Sequence, residues 1–218
     1  VAAVALMLPL LALRADPARG DTEAAVSWPR RDIVIASLAR LLVQLACATL
    51  GLYLLYYFQT LRPGGRGTAA WVGSVLMLSY LIPLPVALIA GRWSDRLGTR
   101  KPFQCAAALV GAVGLAGMAL AKTSWQGAAA FCLFSAGSAV FLSLNATFAM
   151  QLLPRPDRRG RDLGLVNLAN TLPAMIGTLL VWRLATPDDF TNVLLAFAAL
   201  TVAGALAILA VREDPARP

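Results

Sequence analysis

Six apolar segments, each long enough to cross a bilayer, restrict this chain to a helical membrane fold. A membrane-spanning helix needs about 20 consecutive apolar residues. Hydrophobic residues make up 59% of the chain and charged residues only 14%, whereas a soluble domain carries about 25% charged residues. We therefore predict an all-α polytopic bundle with helices at residues 33–61, 68–90, 103–121, 125–153, 163–184 and 190–211.

The residues that flank this six-helix unit have a different character. Residues 1–13 are apolar but too short to span, and no basic residue precedes them, as a signal peptide would require. We predict that they are the end of a preceding transmembrane helix. Residues 14–32 then form a cytoplasmic linker, residues 33–211 the six-helix unit, and residues 212–218 a cytoplasmic tail.

The basic residues predict the orientation of the chain. Of the 19 Lys and Arg residues, 14 lie in the termini and loops of one side and four in the loops of the other. Because the side rich in basic residues faces the cytoplasm, we expect a cytoplasmic C-terminus. The net charge of +8 is divided among short loops, so we expect the lipid bilayer, and no nucleic acid, as a partner.

Residues suited to catalysis or to metal binding are scarce in the apolar segments. The chain has no histidine, and its 11 acidic residues lie in loops or termini. Cys47, Cys105 and Cys132 lack metal-ligand spacing, and we interpret them as small packing residues. A membrane enzyme would need clustered acids, histidines or a nucleophile–base pair. We expect no enzymatic activity, no cofactor and no metal.

A charged segment at residues 91–101 separates the second and third apolar segments, and we predict it to be a short loop. Its pattern, G-x-x-S-D-R-x-G-x-R-K, resembles the loop motif of the major facilitator superfamily of transporters. A basic loop that only orients the protein is the alternative. The resemblance implies a gating loop whose candidate residues are Gly91, Asp95, Arg96, Gly98, Arg100 and Lys101. The two glycines would allow tight turns and a close approach to a neighbouring helix.

The second cytoplasmic loop extends the resemblance. An R-G-x-x-x-G pattern at residues 159–164, followed by N-x-x-N-T-x-P at 167–173, resembles the sucrose-type and glycoside–cation symporter branches. This implies the C-terminal half of a twelve-helix transporter, with an N-terminal half as its partner. The expected solute is small and polar, with a sugar as the first candidate. The expected location is the bacterial inner membrane. A non-transporting scaffold or sensor, and a facilitator without ion coupling, are the alternatives.

Polar residues within the apolar segments are the candidates for solute binding. Asn167, Asn170, Thr171 and Thr178 share one helical face, since a helix turns about 100° per residue. Their neutral donors and acceptors suit a hydroxyl-rich ligand, but they would serve equally well as hydrogen bonds between helices. Pro173, in the same segment, can free a backbone carbonyl.

Two other segments carry polar faces. Arg40, the one charge within a predicted span, shares a face with Gln44, and Asn145 shares a face with Ser138. Arg40 either lines a cavity, extends to the headgroups or packs, and Asn145 either binds solute or packs. The substrate-binding candidates are therefore Arg40, Gln44, Asn145, Asn167, Asn170 and Thr171.

Two backbone features complete the predictions. Pro83 and Pro85 predict a kink in the second span. Thr49, Tyr53 and Tyr56 lie on the face of the first span opposite Arg40, and the two faces could line one cavity only if this helix unwound, for example at Gly51. No acidic residue lies in a span, so we expect any coupling proton to be carried by the N-terminal half, as the resemblance to symporters also implies.

The gating interpretation predicts the effect of one substitution. Asp95→Asn should lower transport and leave membrane insertion intact, because it removes one charge and no apolar surface. Uptake into vesicles containing the purified full-length protein measures the effect. Uptake by Asp95→Asn at the wild-type rate would contradict the gating interpretation.

Overall fold

The computed structural model of this 218-residue chain describes residues 30–62, 67–97, 101–151, 159–186 and 189–211. These residues form helices with no strand among them, apart from an isolated bridge between Thr186 and Asp189. The predicted all-α fold is confirmed. The helices are α1 (Arg30–Leu61), α2 (Thr68–Leu81), α3 (Pro83–Leu97), α4 (Lys101–Leu120), α5 (Ser124–Gln151), α6 (Arg159–Leu184) and α7 (Thr191–Leu209).

Five helical stretches in the described part of the chain are long and apolar enough to cross a membrane. They are Val34–Leu61, Thr68–Ser94, Lys101–Leu120, Ser124–Ala146 and Thr191–Leu209. The sixth predicted span is helical as part of α6, and Thr171–Leu184 forms a shorter apolar helix within it. Each predicted span therefore corresponds to one helix, except the second span, which corresponds to the pair α2 and α3.

The second span is interrupted at the position where the sequence predicts a kink. Helix α2 ends at Leu81 and α3 begins at Pro83. Ile82 between them keeps helical angles, φ −59° and ψ −43°, and its N–H still donates to Leu78 O at 2.9 Å. Pro83 and Pro85 have no N–H, so the hydrogen-bond ladder is interrupted just beyond Ile82. By contrast, α1 is one continuous helix and does not unwind at Gly51.

The prediction of a loop at residues 91–101 is wrong for most of that segment. Helix α3 continues through Leu97 and α4 begins at Lys101, so only residues 98–100 separate the two helices. The helix continues because it has a buried side and an exposed side here: Ser94 is fully buried, whereas Arg92 and Trp93 are exposed.

Of the two predicted gating glycines, only Gly91 lies within the described residues. A Cβ placed on Gly91 would meet no atom of the described residues within 4 Å, so the predicted close approach is not made to any helix in that part of the chain. Gly98, Arg100 and the side chain of Asp95 lie outside the described residues. The gating role of Asp95 therefore stays a prediction.

Small residues bring α4 and α5 into backbone contact. A Cβ on Gly114 would lie 2.5 Å from Phe134 N, and a Cβ on Gly137 would lie 2.5 Å from Gly111 N. Close approach at small residues is a main source of helix association in membranes, where lipid is as apolar as the helix surface. Helix α4 packs most extensively against α5 and α7, and α1 packs against α5, α6 and α7.

The start of α7 is held by a short local motif. Thr191 N–H donates to Asp189 Oδ1 at 2.8 Å, and Thr191 Oγ1 lies 3.5 Å from Ala119 O at the end of α4. Hydrogen bonds from the Thr191 side chain and backbone lower the pKa of Asp189. The carboxylate therefore stays charged and supports the start of the helix.

The α4–α5 contact predicts a contrast between two glycines. Gly114→Ala should lower the free energy of unfolding by about 1–3 kcal/mol, because the added Cβ would overlap the backbone of Phe134. Gly73→Ala is the matched control, since a Cβ on this exposed helical glycine would meet nothing within 4 Å. Thermal unfolding in detergent measures both. Equal effects of the two substitutions would contradict the packing described here.

Candidate functional site

The polar residues predicted on the first and fourth spans meet between α1 and α5. Arg40 Nη1 donates to Leu142 O at 3.3 Å, and Asn145 Nδ2 donates to Ala36 O at 3.3 Å. The two hydrogen bonds run in opposite directions, each from a side chain of one helix to a carbonyl of the other. We call this region the α1–α5 interface.

The α1–α5 interface also contains polar atoms without a hydrogen-bond partner among the described residues. These atoms are Gln44 Oε1, Ser138 Oγ and Asn145 Oδ1. The Cys47 thiol lies beside Ser138, and Asn145 is fully buried. An unpaired buried polar atom costs about 1–3 kcal/mol. The interface is therefore a place where a ligand or a shifted helix contact would be stabilised.

The contact of Arg40 bears on the alternatives for this residue. Arg40 is half-buried in the bundle and reaches a carbonyl of α5. This contact joins α1 to α5 and agrees with the packing alternative, and the cavity and headgroup alternatives stay predictions. Gln44 lies one turn further along α1 and is half-buried on the same side.

The structure describes only part of the polar face of α6. The residues at 167, 170, 171 and 178 all belong to α6, but the side chains of Asn167 and Asn170 lie outside the described residues. Thr171 is exposed, and Thr178 donates to Ala174 O of its own helix at 2.8 Å. Thr178 therefore does not hydrogen-bond to a neighbouring helix. A role for Asn167, Asn170 and Thr171 in binding stays a prediction.

Among the described residues, no helix covers one side of the outer part of α1. Helix α5 contacts α1 at Arg40, and α6 contacts it at Thr49, where a Cβ on Gly177 would overlap the hydroxyl. Because a helix turns about 100° per residue, Arg40 and Thr49 point in opposite directions from α1. Helix α7 packs on one of the two remaining sides of α1, where Gly204 lies close to Ala39 O.

The other side of α1, between α5 and α6, carries exposed apolar residues. Leu52 is 59% and Tyr56 57% exposed. We call this surface the open sector of α1. Its side chains offer apolar and aromatic contact, whereas the polar groups of α1 and α5 are turned toward each other. The arrangement suits an amphipathic or aromatic ligand better than one covered in hydroxyl groups.

Some polar contacts were missed by the sequence reasoning. Tyr57 O–H donates to Met118 O at 2.8 Å and joins α1 to α4. Nothing in the sequence distinguishes Tyr57 from the exposed Tyr56 beside it. Gln104 and Thr201 are fully buried, and both amide atoms of Gln104 and the Thr201 hydroxyl lack partners among the described residues. The polar side chains of Gln104 and Thr201 lie within apolar segments, and this could have marked them as buried residues from the sequence.

Of the predicted gating residues, Lys101 has a clear structural contact. Its Nζ donates to Val211 O at 2.5 Å, just beyond the end of α7. A cation at this position stabilises the C-terminal end of a helix. Arg96 lies in the last turn of α3 and is exposed. The structure therefore links one motif residue to α7, and it does not bring the motif to the α1–α5 interface.

Acidic and sulfur-containing residues do not form a metal centre in the described part of the chain. No group of three or more His, Cys, Asp or Glu side chains comes together there, and the three cysteines are free thiols. Asp32, predicted to end the linker, lies in the first turn of α1 and is 1% exposed. An acid there interacts favourably with the helix N-terminus.

Comparison with known proteins decides the family. The chain matches the model of the Major Facilitator Superfamily over residues 33–218. The chain belongs to the Major Facilitator Superfamily. The predicted family is thereby confirmed, and this superfamily member is a multi-pass membrane protein. The sucrose-type branch stays a prediction.

Curated relatives of this superfamily member carry one name. This chain is 33% identical over 166 residues, 75% of its length, to the Multidrug resistance protein MdtH of Klebsiella pneumoniae (strain 342). It is 34% identical over 135 residues, 62% of this chain, to the protein of the same name from Edwardsiella ictaluri (strain 93-146). The matches span 40% and 33% of those relatives. No solved structure matches the chain.

The burial of Asn145 predicts a structural effect for its substitution. Asn145→Ala should lower the free energy of unfolding by about 1 kcal/mol, because it removes the hydrogen bond to Ala36 O. It should leave the KM for transport unchanged. Ser74→Ala on α2 is the control, since exposed Ser74 donates to Ala70 O of its own helix. A raised KM without loss of thermal stability would instead place Asn145 in contact with solute.

Proposed function

We propose that this chain is part of a secondary transporter that carries an amphipathic, drug-like solute across the membrane by alternating access. Membership of the superfamily and the five spanning helices support membrane transport. The observation that carries the solute class is the open sector of α1, where Leu52 and Tyr56 are exposed while the polar side chains of α1 and α5 face one another.

The relatives support the same solute class. They are named multidrug resistance proteins, and such solutes require apolar and aromatic contact area more than a dense array of hydrogen bonds. A sugar is the second candidate. It is favoured by the polar face of α6, where Asn167, Asn170 and Thr171 are one to four residues apart along the helix.

The mechanism would be a movement of this six-helix unit, residues 33–211, against an N-terminal half of the same polypeptide. The interruption between Leu81 and Pro83 gives the second span a position at which its two parts could change their angle. The acids lie outside the spans, so a coupling proton would bind elsewhere in the full-length protein. We place the transporter in the bacterial inner membrane, with the C-terminus in the cytoplasm.

Transport by the full-length protein tests this proposal. Bacterial cells that lack other drug exporters would be loaded with an amphipathic fluorescent dye, and its loss would be followed with and without the protein. Uptake of a labelled disaccharide is the parallel measurement. We expect dye export and no sugar uptake. Sugar uptake without dye export would favour the symporter interpretation, and transport of neither would favour a scaffold or sensor.

The open sector predicts a contrast between two exposed tyrosines. Tyr56→Ala should reduce dye transport by about tenfold, because an aromatic contact with solute is worth about 1 kcal/mol or more. Tyr80→Ala on α2 is the matched control, since Tyr80 is 73% exposed and lies outside the open sector. Initial rates at equal protein level in the membrane measure both. Loss of transport in both variants would argue against a specific role for the open sector.

A further inference from the structure

Three chain segments meet at the end of the bundle where α1 finishes. Arg62 follows α1, Trp71 lies in the first turn of α2, and Trp125 lies in the first turn of α5. The two indole rings are in edge-to-face contact, with centroids 4.2 Å apart and planes at 84°. The Arg62 guanidinium carbon lies 5.7 Å from the centre of the Trp71 ring. We call these three residues the Trp71 corner.

The position of the Trp71 corner is set by packing between helices. A Cβ on Gly127 would lie 2.9 Å from Tyr57 Oη and 3.0 Å from Leu61 Cδ1, so the first turn of α5 lies directly against the last turns of α1. Tyr57 is itself fixed by its hydrogen bond to Met118 O. The helix ends that carry Arg62 and Trp125 are therefore fixed relative to each other by packing.

The polar groups of the Trp71 corner are hydrogen-bond donors. Trp71 Nε1 is shielded from solvent and has no partner among the described residues, and an indole N–H can only donate. The Arg62 guanidinium is exposed beside it. Gly67, with φ 81°, precedes α2 and provides no side-chain cap for the first-turn N–H groups. The described residues of the corner contain no carboxylate, so the matching ligand is an anionic acceptor.

The surface next to the corner is apolar. Trp125 is 72% exposed, and the span Thr68–Ser94 is the least buried of the five candidate spans. Its exposed side chains include Met77 and Leu81. A ligand with both an anionic head and long apolar chains would cover the donors and this surface together, whereas a free phosphate would cover only the donors.

We propose that the Trp71 corner binds the phosphate group of a phospholipid headgroup, with the acyl chains lying along α2. The corner lies at the helix ends, which is the depth of lipid headgroups in a bilayer. The orientation predicted from the basic residues places it in the outer leaflet. Lipid bound there would hold the ends of α1, α2 and α5 together, independently of the solute that the protein carries.

Native mass spectrometry of the purified full-length protein in detergent tests this assignment. Phosphatidylglycerol, a diacylglycerol with no phosphate, and inorganic phosphate are added as separate probes. We expect phosphatidylglycerol to stay bound and the other two to be lost. Trp71→Phe replaces the indole with a smaller aromatic ring that has no N–H donor. Arg62→Gln removes the positive charge. Each should weaken phosphatidylglycerol binding by about tenfold.

Arg183→Gln is the matched control. The Arg183 guanidinium lies 5.0 Å from the Trp182 ring, but Trp182 is 72% exposed and has no neighbouring ring in contact among the described residues. This variant should bind phosphatidylglycerol as the wild type does. Equal weakening by Arg183→Gln, or undiminished binding by Trp71→Phe and Arg62→Gln, would overturn the proposal.

The other two probes separate the sources of binding. Diacylglycerol bound as tightly as phosphatidylglycerol would overturn the headgroup contact, and inorganic phosphate bound as tightly would overturn the lipid. Thermal unfolding of each variant checks that it is folded. If Trp71→Phe is unstable, Arg62→Gln decides the outcome, because Arg62 is exposed and its substitution leaves the packing intact.

Discussion

The hydrocarbon of a bilayer offers no hydrogen bonds, so each polar side chain within a span must find its partner in the protein. Arg40 and the Nδ2 group of Asn145 have such partners in backbone carbonyls of the opposite helix, at Leu142 and Ala36, whereas Asn145 Oδ1 has none among the described residues. These two bonds fix the distance and the rotation of α1 relative to α5. The other close contacts, between glycines of α4 and α5 and between Gly177 and Thr49, complete the same arrangement.

The pairing of α1 with α5 also determines which part of α1 remains available for a ligand. Once the polar side is turned toward α5 and Thr49 toward α6, the uncovered side presents Leu52 and Tyr56. A sequence with polar residues in its spans thus forms a surface with apolar and aromatic character. This is why we favour an amphipathic solute over a sugar, in agreement with the names of the relatives. The interruption between α2 and α3 adds a position at which this helix pair could move.

Basic residues at the ends of the bundle take part in contacts that charge counting alone does not predict. Lys101 belongs to the segment that resembles the superfamily motif, yet its ammonium group donates to Val211 O at the end of α7. Arg62 lies over Trp71, and the shielded indole N–H beside it makes this end of the bundle suitable for an anionic headgroup. The same residues that orient a membrane protein can therefore also join its helices or hold its lipid.

The sequence by itself determined the helical class, the approximate location of the six spans, the interruption before Pro83 and the superfamily, because long apolar segments, prolines and motifs are local properties. It also placed Arg40 with Gln44 and Ser138 with Asn145 on shared faces. Only the tertiary structure decided that these two faces meet, that Tyr57 is buried while Tyr56 is exposed, and that α3 continues to Leu97. The physical reason is that a membrane helix is apolar all round, so its hydrophobic pattern does not mark the side that faces a neighbour. That side is chosen by interhelical distance and by the pairing of polar groups, which depend on residues far apart in the chain.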